Sequence, residues 1–216
     1  MRLRLEGVRR AVIVAPHPDD EIIGAAGLIQ ALRRRGSEVR IVVVSDGAAS
    51  HPGSAKWPSD RLIAARARES LHALRRLGVC RKEVTFLRLP DGGLSARGAR
   101  CRPVLNQALQ RLGQMDMLVG PALTDAHPDH RAVAMVLRDH RFGGRRLTYQ
   151  VWPPQRRMAA RGRAVVMMGG AAAKGSLIRS HRTQLGAITD DPQGFSIAAH
   201  ELAVFAHPVE YFVEER

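Results

Sequence analysis

Cysteine is almost missing from this 216-residue chain. Cys80 and Cys101 are the only two, too few for a disulfide framework, so a buried core must hold the fold. Aromatic residues are scarce as well, at 4%, which leaves little material for the stacking platforms that bind single-stranded nucleic acid. Long apolar runs are absent. The stretch 165–173 is nine residues long and contains two glycines, far short of the ~18 residues that cross a bilayer. The basic stretch 1–10 leads into an apolar run that stops at Pro16 and meets His17 and two aspartates. That run is too short for a signal peptide, and no small-residue cleavage site follows. There is no internal repeat and no low-complexity linker. Apolar residues at 45% and charged residues at 25% match ordinary globular usage and exclude a disordered tail protein. The expectation is one soluble, cytoplasmic domain spanning 1–216.

Lysine is the other shortage. Only Lys56, Lys82 and Lys174 occur among 34 basic residues, which face 20 acids for a net charge of +14. The arginines form short groups rather than one basic arm: Arg33–Arg35, Arg75–Arg76, Arg145–Arg146 and Arg156–Arg157. Several fall at the ends of helix-like stretches, where a cation favours the helix dipole. They read as solvated faces, and nucleic acid is not expected as a partner. A polyanion binder with a vestigial site is the alternative that the charge keeps in view.

What is present is an alternation of short buried strands and amphipathic helices. AVIVAP (11–16) and EVRIVVV (38–44) are β-branched apolar runs of the kind buried in parallel sheets. Between them, 21–35 carries apolar residues at helical spacing and stops at Gly36. Further helices are expected at 60–77, 103–112, 131–138 and 172–185, and further strands at 84–87, 115–120, 147–152 and 164–168; the glycine-rich piece 169–175 reads as a loop. The pattern predicts an α/β fold, a Rossmann-like open, mostly parallel sheet with helices on both faces.

Two histidine–aspartate clusters follow predicted strands: Pro16-His17-Pro18-Asp19-Asp20-Glu21 after the first, and Asp125-Ala126-His127-Pro128-Asp129-His130 after the fourth. In such a sheet both lie at the carboxyl edge, where ligands bind. His17 and Asp20 are three residues apart as the chain enters a helix, so imidazole and carboxylate can face one point and serve a divalent ion. A third ligand from the second cluster, read as His130, leaves one coordination place open, as catalytic sites require. Asp19 is then the base that takes a proton from a water on the metal. His127 is free to donate a proton or stabilise an oxyanion, while Asp129 and Asp125 are placed to fix imidazole tautomers from behind. Glu21 is expected to oppose the helix dipole.

APHPDDEIIGAAGLI (15–29) and DAHPDHRAV (125–133) resemble the paired motifs of the PIG-L/LmbE-like family of metal-dependent N-acetylglucosaminyl deacetylases. SDGAASHPGS (45–54), LPDGGL (89–94), HRTQ (181–184) and PVEYFVEER (208–216) resemble further segments of that family, so the likeness spans nearly the whole chain. It implies a divalent metal, usually Zn2+ with Fe2+ also possible, held by His17, Asp20 and His130. It implies Asp19 as base, His127 in acid or oxyanion duty, and Arg66 and Asp91 on sugar hydroxyls. His181 and Gln184 would line the pocket or lie on an exposed helix face. The reaction implied is removal of the N-acetyl group from a small amino-sugar substrate, the departing amine taking its proton from His127 or Asp19. Hydrolysis of another amide or a thioconjugate on the same site is the runner-up. Substrate choice is expected of the loops 45–59, 121–127 and 153–163.

Overall fold

The computed structural model describes residues 1–95, 98–154 and 162–215. Arg156 and Arg157, with most of the loop 153–163, lie outside the described residues. Seven strands form one sheet: β1 (Arg10–Ala15), β2 (Glu38–Ser45), β3 (Val84–Leu89), β4 (Met117–Pro121), β5 (Arg145–Tyr149), β6 (Arg163–Val166) and β7 (Val209–Glu215). Their order across the sheet is β3-β2-β1-β4-β5-β7-β6. β1 to β5 run parallel, and β7 runs antiparallel to both β5 and β6.

Alternation along the inner strands builds two cores. Ala11, Ile13 and Ala15 of β1, with Val39, Ile41 and Val43 of β2, face α1 (Asp20–Arg34), α2 (Ser59–Arg76) and α5 (Gly170–Ile178). Val12, Val14, Val42 and Val44 face the opposite way, toward α3 (Gly98–Leu112) and α4 (Pro128–Asp139). Each central strand is therefore apolar on both faces, which is why its sequence reads as a continuous run. The chain order reverses between β1 and β4, and α1 and α4 leave those strands at the same edge. Such a reversal opens a crevice outside the strand ends, and it brings residues 17–21 beside 125–130.

Several boundaries differ from the sequence reading. The helix expected over 172–185 ends at Ile178, and 182–184 form a separate 3-10 turn held by Glu69, which accepts from the Thr183 backbone N–H and hydroxyl at 3.0 and 2.6 Å. The supposed loop 169–175 instead starts α5 at Gly170, after a turn in which Gly169 and Gly170 take φ of 84° and 67°. α3 starts at Gly98 and carries Pro103 in its interior, where one intrahelical hydrogen bond is forgone. β5 spans Arg145–Tyr149 rather than 147–152, because Asp125 Oδ2 takes the N–H groups of Val151 and Trp152 at 2.8 and 3.0 Å and draws the chain out of the sheet. A short helix, α6 (Ala199–Phe205), and strand β7 went unread.

Helix α1 is broken at Ala25 (φ −144°, ψ 15°). The N–H groups of Gly27 and Leu28 donate to the Glu210 carboxylate of β7 at 2.8 and 3.1 Å, and Lys174 of α5 pairs with it at 2.8 Å in a fully buried position. On the same helix the Tyr149 ring lies against Gly24, where a Cβ would come within 3.0 Å of three ring carbons, and the Tyr149 hydroxyl donates to Val14 O at 2.8 Å. Side-chain contacts from β5, β7 and α5 thus fix the first two turns of α1, the turns that present Asp19, Asp20 and Glu21.

Candidate metal centre

Three donor atoms meet in the crevice. His17 Nδ1 lies 3.1 Å from Asp20 Oδ2 and 3.2 Å from His130 Nε2, and His130 Nε2 lies 3.1 Å from Asp20 Oδ2. Zinc bonds of 2.0–2.1 Å in a tetrahedron place ligand atoms about 3.3 Å apart, so this triangle has the size of one face of such a site. Two imidazole nitrogens facing each other across a carboxylate oxygen suit a cation among them, and the buried donors are of the types that hold a borderline divalent ion. The residues fit the metal. A looser grouping brings one ring nitrogen each of His17, His127 and His130 within 4.8 Å of one another.

Carboxylates stand close on the far side of both rings. Asp125 Oδ2 is 3.1 Å from His130 Nδ1, while its Oδ1 accepts the His127 N–H at 2.9 Å. His17 Nε2 is 3.1 Å from Asp91 Oδ1 and 3.5 Å from Asp129 Oδ2, and Asp129 Oδ1 also accepts the Leu94 N–H at 3.0 Å. The proton of each neutral ring is thereby drawn to the nitrogen that faces away from the triangle. Burial alone would lower the pKa of His17, but Asp129, Asp20 and Asp91 outweigh it and raise it well above 6.5. His130 is likewise lifted against burial, by Asp20 and Asp125, to about 9. Asp20, between the two rings, stays well below its ordinary value despite burial.

Asp19 stands at the N-cap of α1 with φ 151°, a strained conformation for a non-glycine residue. Its N–H donates to Glu21 Oε2 at 3.0 Å and its carbonyl caps Ile22 and Ile23, both at 2.9 Å. Its carboxylate meets Arg66 Nη2 at 3.2 Å. Burial raises the Asp19 pKa to about 7, with the Arg66 charge opposing. Burial likewise brings Glu21 to about 7, and its main contact is the Asp19 N–H rather than the helix dipole. Arg66, on α2, is buried and does not pair with Glu69; it also donates to Gly47 O at 2.8 Å and Pro18 O at 3.2 Å.

His127 caps α4. Its Nδ1 accepts the Asp129 N–H at 3.2 Å, so the neutral ring carries its proton on Nε2. Burial and the charges of His17 and His130 lower its pKa.

His17, Asp19, Asp20, Arg66, Asp91 and His127 border one cavity of about 360 Å³, within the ordinary range for small-molecule sites. Gln184 borders it too, as do Trp152, Phe195 and Ile197, which sequence reasoning missed because nothing in the chain order links them to the histidine clusters. His181 is buried away from it, with neither ring nitrogen partnered, and burial beside Arg66 lowers its pKa to about 3. His51 packs in the neighbouring loop, Nδ1 3.1 Å from the Ser50 hydroxyl.

The fold and this site define the class: a Rossmann-like α/β protein with a metal-fitting imidazole–carboxylate centre at the sheet's carboxyl edge. The chain belongs to the PIG-L (GlcNAc-PI de-N-acetylase) family, whose sequence model matches residues 12–140. No curated protein matches it by sequence. Among solved structures it is similar to N,N'-diacetylchitobiose deacetylase from Pyrococcus horikoshii, at 23% identity and TM-score 0.71 over 84% of this chain and 72% of that one. It is also similar to the A40926 pseudoaglycone deacetylase Dbv21, at 20% identity and TM-score 0.65 over 96% and 98% of the two chains. A third neighbour, the 4-carboxy-2-hydroxymuconate hydratase GalB from Pseudomonas putida KT2440, has 14% identity and TM-score 0.66 over 96% and 95%. The fold is thus shared by proteins of different reactions, and the site must decide the chemistry. No helix among the described residues is long and apolar enough to cross a membrane.

Proposed function

We propose that this chain, read as one domain over 1–216, removes the acetyl group from an N-acetylglucosaminyl-type amino sugar, using one divalent ion, Zn2+ in the first instance, held by His17 Nδ1, Asp20 Oδ2 and His130 Nε2. The observation that carries this reading is the 3.1–3.2 Å donor triangle with Asp19 beside it and outside it. When bound, the ion supplies Lewis-acid polarisation of the acetamide carbonyl and lowers the pKa of an adjacent water toward ~7.

The chain's own groups do the rest. Asp19, with a pKa of about 7, takes the proton from the attacking water and has the basicity to pass it to the departing amine nitrogen. Arg66 keeps its carboxylate aimed. His127, neutral and with Nε2–H free of the Asp129 contact, donates to the oxyanion that develops on the acetamide oxygen. That division assigns the amine's proton to Asp19, and His127 to charge stabilisation. Asp125, Asp129 and Asp91 hold the two liganding rings in one tautomer. Arg66 and Asp91 border the cavity where sugar hydroxyls would lie, although each already serves a protein partner.

The test is release of free amine from N-acetylglucosaminyl compounds by enzyme of measured metal content. Turnover that follows the ion content supports the reading, and a fully loaded enzyme that frees no amine from the panel overturns it.

The raised pKa values of His17 and His130 set a further expected outcome. The surrounding carboxylates bias His17 and His130 toward their protonated forms in the metal-free protein, and an ion must displace the protons held there. Uptake at pH 7 should release protons, and affinity should rise as pH climbs through about 9, where His130 gives up its proton. Calorimetry in two buffers of different ionisation heat measures this directly. Uptake with no proton release would place the ion elsewhere.

A further inference from the structure

The chain has few aromatic residues, yet two of them border the cavity, and one is spent on its rim. Phe195 is 40% exposed, while the polar side chains deeper in the same cavity (Asp20, Arg66, Gln184) are almost wholly buried. Trp152 stands beside it, ring centroids 6.0 Å apart and edge to face, and is braced from behind by Phe205 at 5.3 Å. Ile197 and Ile23 continue the wall inward. The polar lining residues, Asp19, Asp20, Arg66, Asp91 and Gln184, make up one part of the cavity. The other, ending at the mouth, is apolar.

The exposed phenyl ring is not on a loose loop. The Phe195 N–H donates to Ser50 O at 2.7 Å. Asp191 accepts the Gly53 N–H at 2.9 Å, and Asp190 accepts the Ser54 hydroxyl at 2.7 Å and the Lys56 N–H at 2.8 Å. The Ile197 N–H donates to Gln184 O at 2.9 Å. Gly194 passes so close to the His51 ring that a Cβ there would overlap it. Holding an apolar ring at the surface by this many anchors fixes its position before any ligand arrives. It lowers the ordering cost of binding something apolar, and rigid aromatic groups are efficient contact surfaces for that purpose.

Resting on the amino-sugar reading above, we propose that the physiological substrate carries an apolar aglycone on the N-acetylglucosaminyl unit, and that Phe195 and Trp152 form its subsite. With the acetamide at the donor triangle, the sugar fills the polar part of the 360 Å³ cavity, and the group on the far side of the ring emerges against Phe195. A small or hydrophilic aglycone leaves that surface wet. An aryl or alkyl one covers it.

The experiment compares phenyl and methyl 2-acetamido-2-deoxyglucosides on metal-loaded enzyme, with a phosphate-bearing glycoside as a third arm. kcat/KM for the phenyl compound should exceed that for the methyl compound by at least about tenfold, in the range a few apolar atoms in a pocket can discriminate. In Phe195→Ala the ratio should collapse to within about threefold of one, and in Phe195→Tyr it should persist. Equal fall of both glycosides in Phe195→Ala would mean the ring packs on the sugar itself and overturns the proposal, as would a preference for the phosphate-bearing compound. A binding arm separates this from the activity reading. By calorimetry on Asp19→Asn, the phenyl 2-acetamido-2-deoxyglucoside should bind at least about tenfold tighter than the methyl one, and Phe195→Ala added to that background should erase the difference. That result without turnover of any N-acetyl compound sinks the deacetylase reading and leaves the apolar subsite standing. Turnover of phenyl and methyl glycosides at equal rates does the reverse.

Discussion

Asp19→Asn is expected to lower kcat/KM for an N-acetylglucosaminide by about 10²–10⁴-fold, the contribution of a positioned general base, while the enzyme keeps its ion; His17→Ala is expected to lose both. The division follows from geometry. His17 Nδ1 is one corner of the 3.1–3.2 Å triangle, and without it two donors remain for the ion. Asp19 is adjacent in sequence to Asp20, but its carboxylate is directed to Arg66 and supplies nothing to the triangle. Asparagine fills the same space and can still accept from Arg66, yet it cannot take a proton from water. Metal analysis and the amine assay on both variants decide the matter. Equal metal loss in the two would show that Asp19 is a ligand and remove the base from the mechanism.

The second large effect lies behind the site. Glu210→Ala is expected to cost about 3–5 kcal/mol of stability, because it leaves Lys174 as a buried charge without its partner and orphans the Gly27 and Leu28 N–H groups that the carboxylate accepts. Urea unfolding should show a midpoint lower by more than about 1 M. The double replacement Glu210→Leu with Lys174→Met should recover part of this, since it removes the stranded charge. It should not recover all, because the two N–H groups at the break in α1 still lack an acceptor. An unchanged midpoint in Glu210→Ala would mean that water reaches the pair and that the break in α1 needs no external anchor. Any residual activity change in the folded double variant reports how far the seating of α1 controls Asp19.

The alternation of strands and helices along 10–139 was legible because each central strand is apolar on both faces and each helix carries a stripe at its own period. The two His-Pro-Asp clusters stood out for the same reason: charged and imidazole groups directly after a buried strand have no packing role. The far third of the chain was harder to read. β7, VEYFVEE, mixes polar and apolar residues without a clean period and lies antiparallel beside β5, whereas its neighbour β6 was legible from the apolar run 164–168. β7 lacks the continuous run by which the buried strands announce themselves. The helix drawn through 172–185 failed because propensity extends through Arg179–Gln184, whereas the chain is turned there by Glu69, a residue more than a hundred positions earlier.

The sequence by itself determined the fold class, the edge of the sheet at which the chemistry sits, and the chemical types of its donors, since these follow from local periodicity and from what must not be buried unpaired. Only the tertiary structure decided that Arg66 turns to Asp19, that Asp91 backs His17, that Glu210 and Lys174 seat α1, and that Phe195 is fixed beside Ser50. Those pairings join residues between 36 and 183 positions apart, and a side chain's partner across such a distance is set by how helices and strands pack in space, which no local pattern of residues encodes.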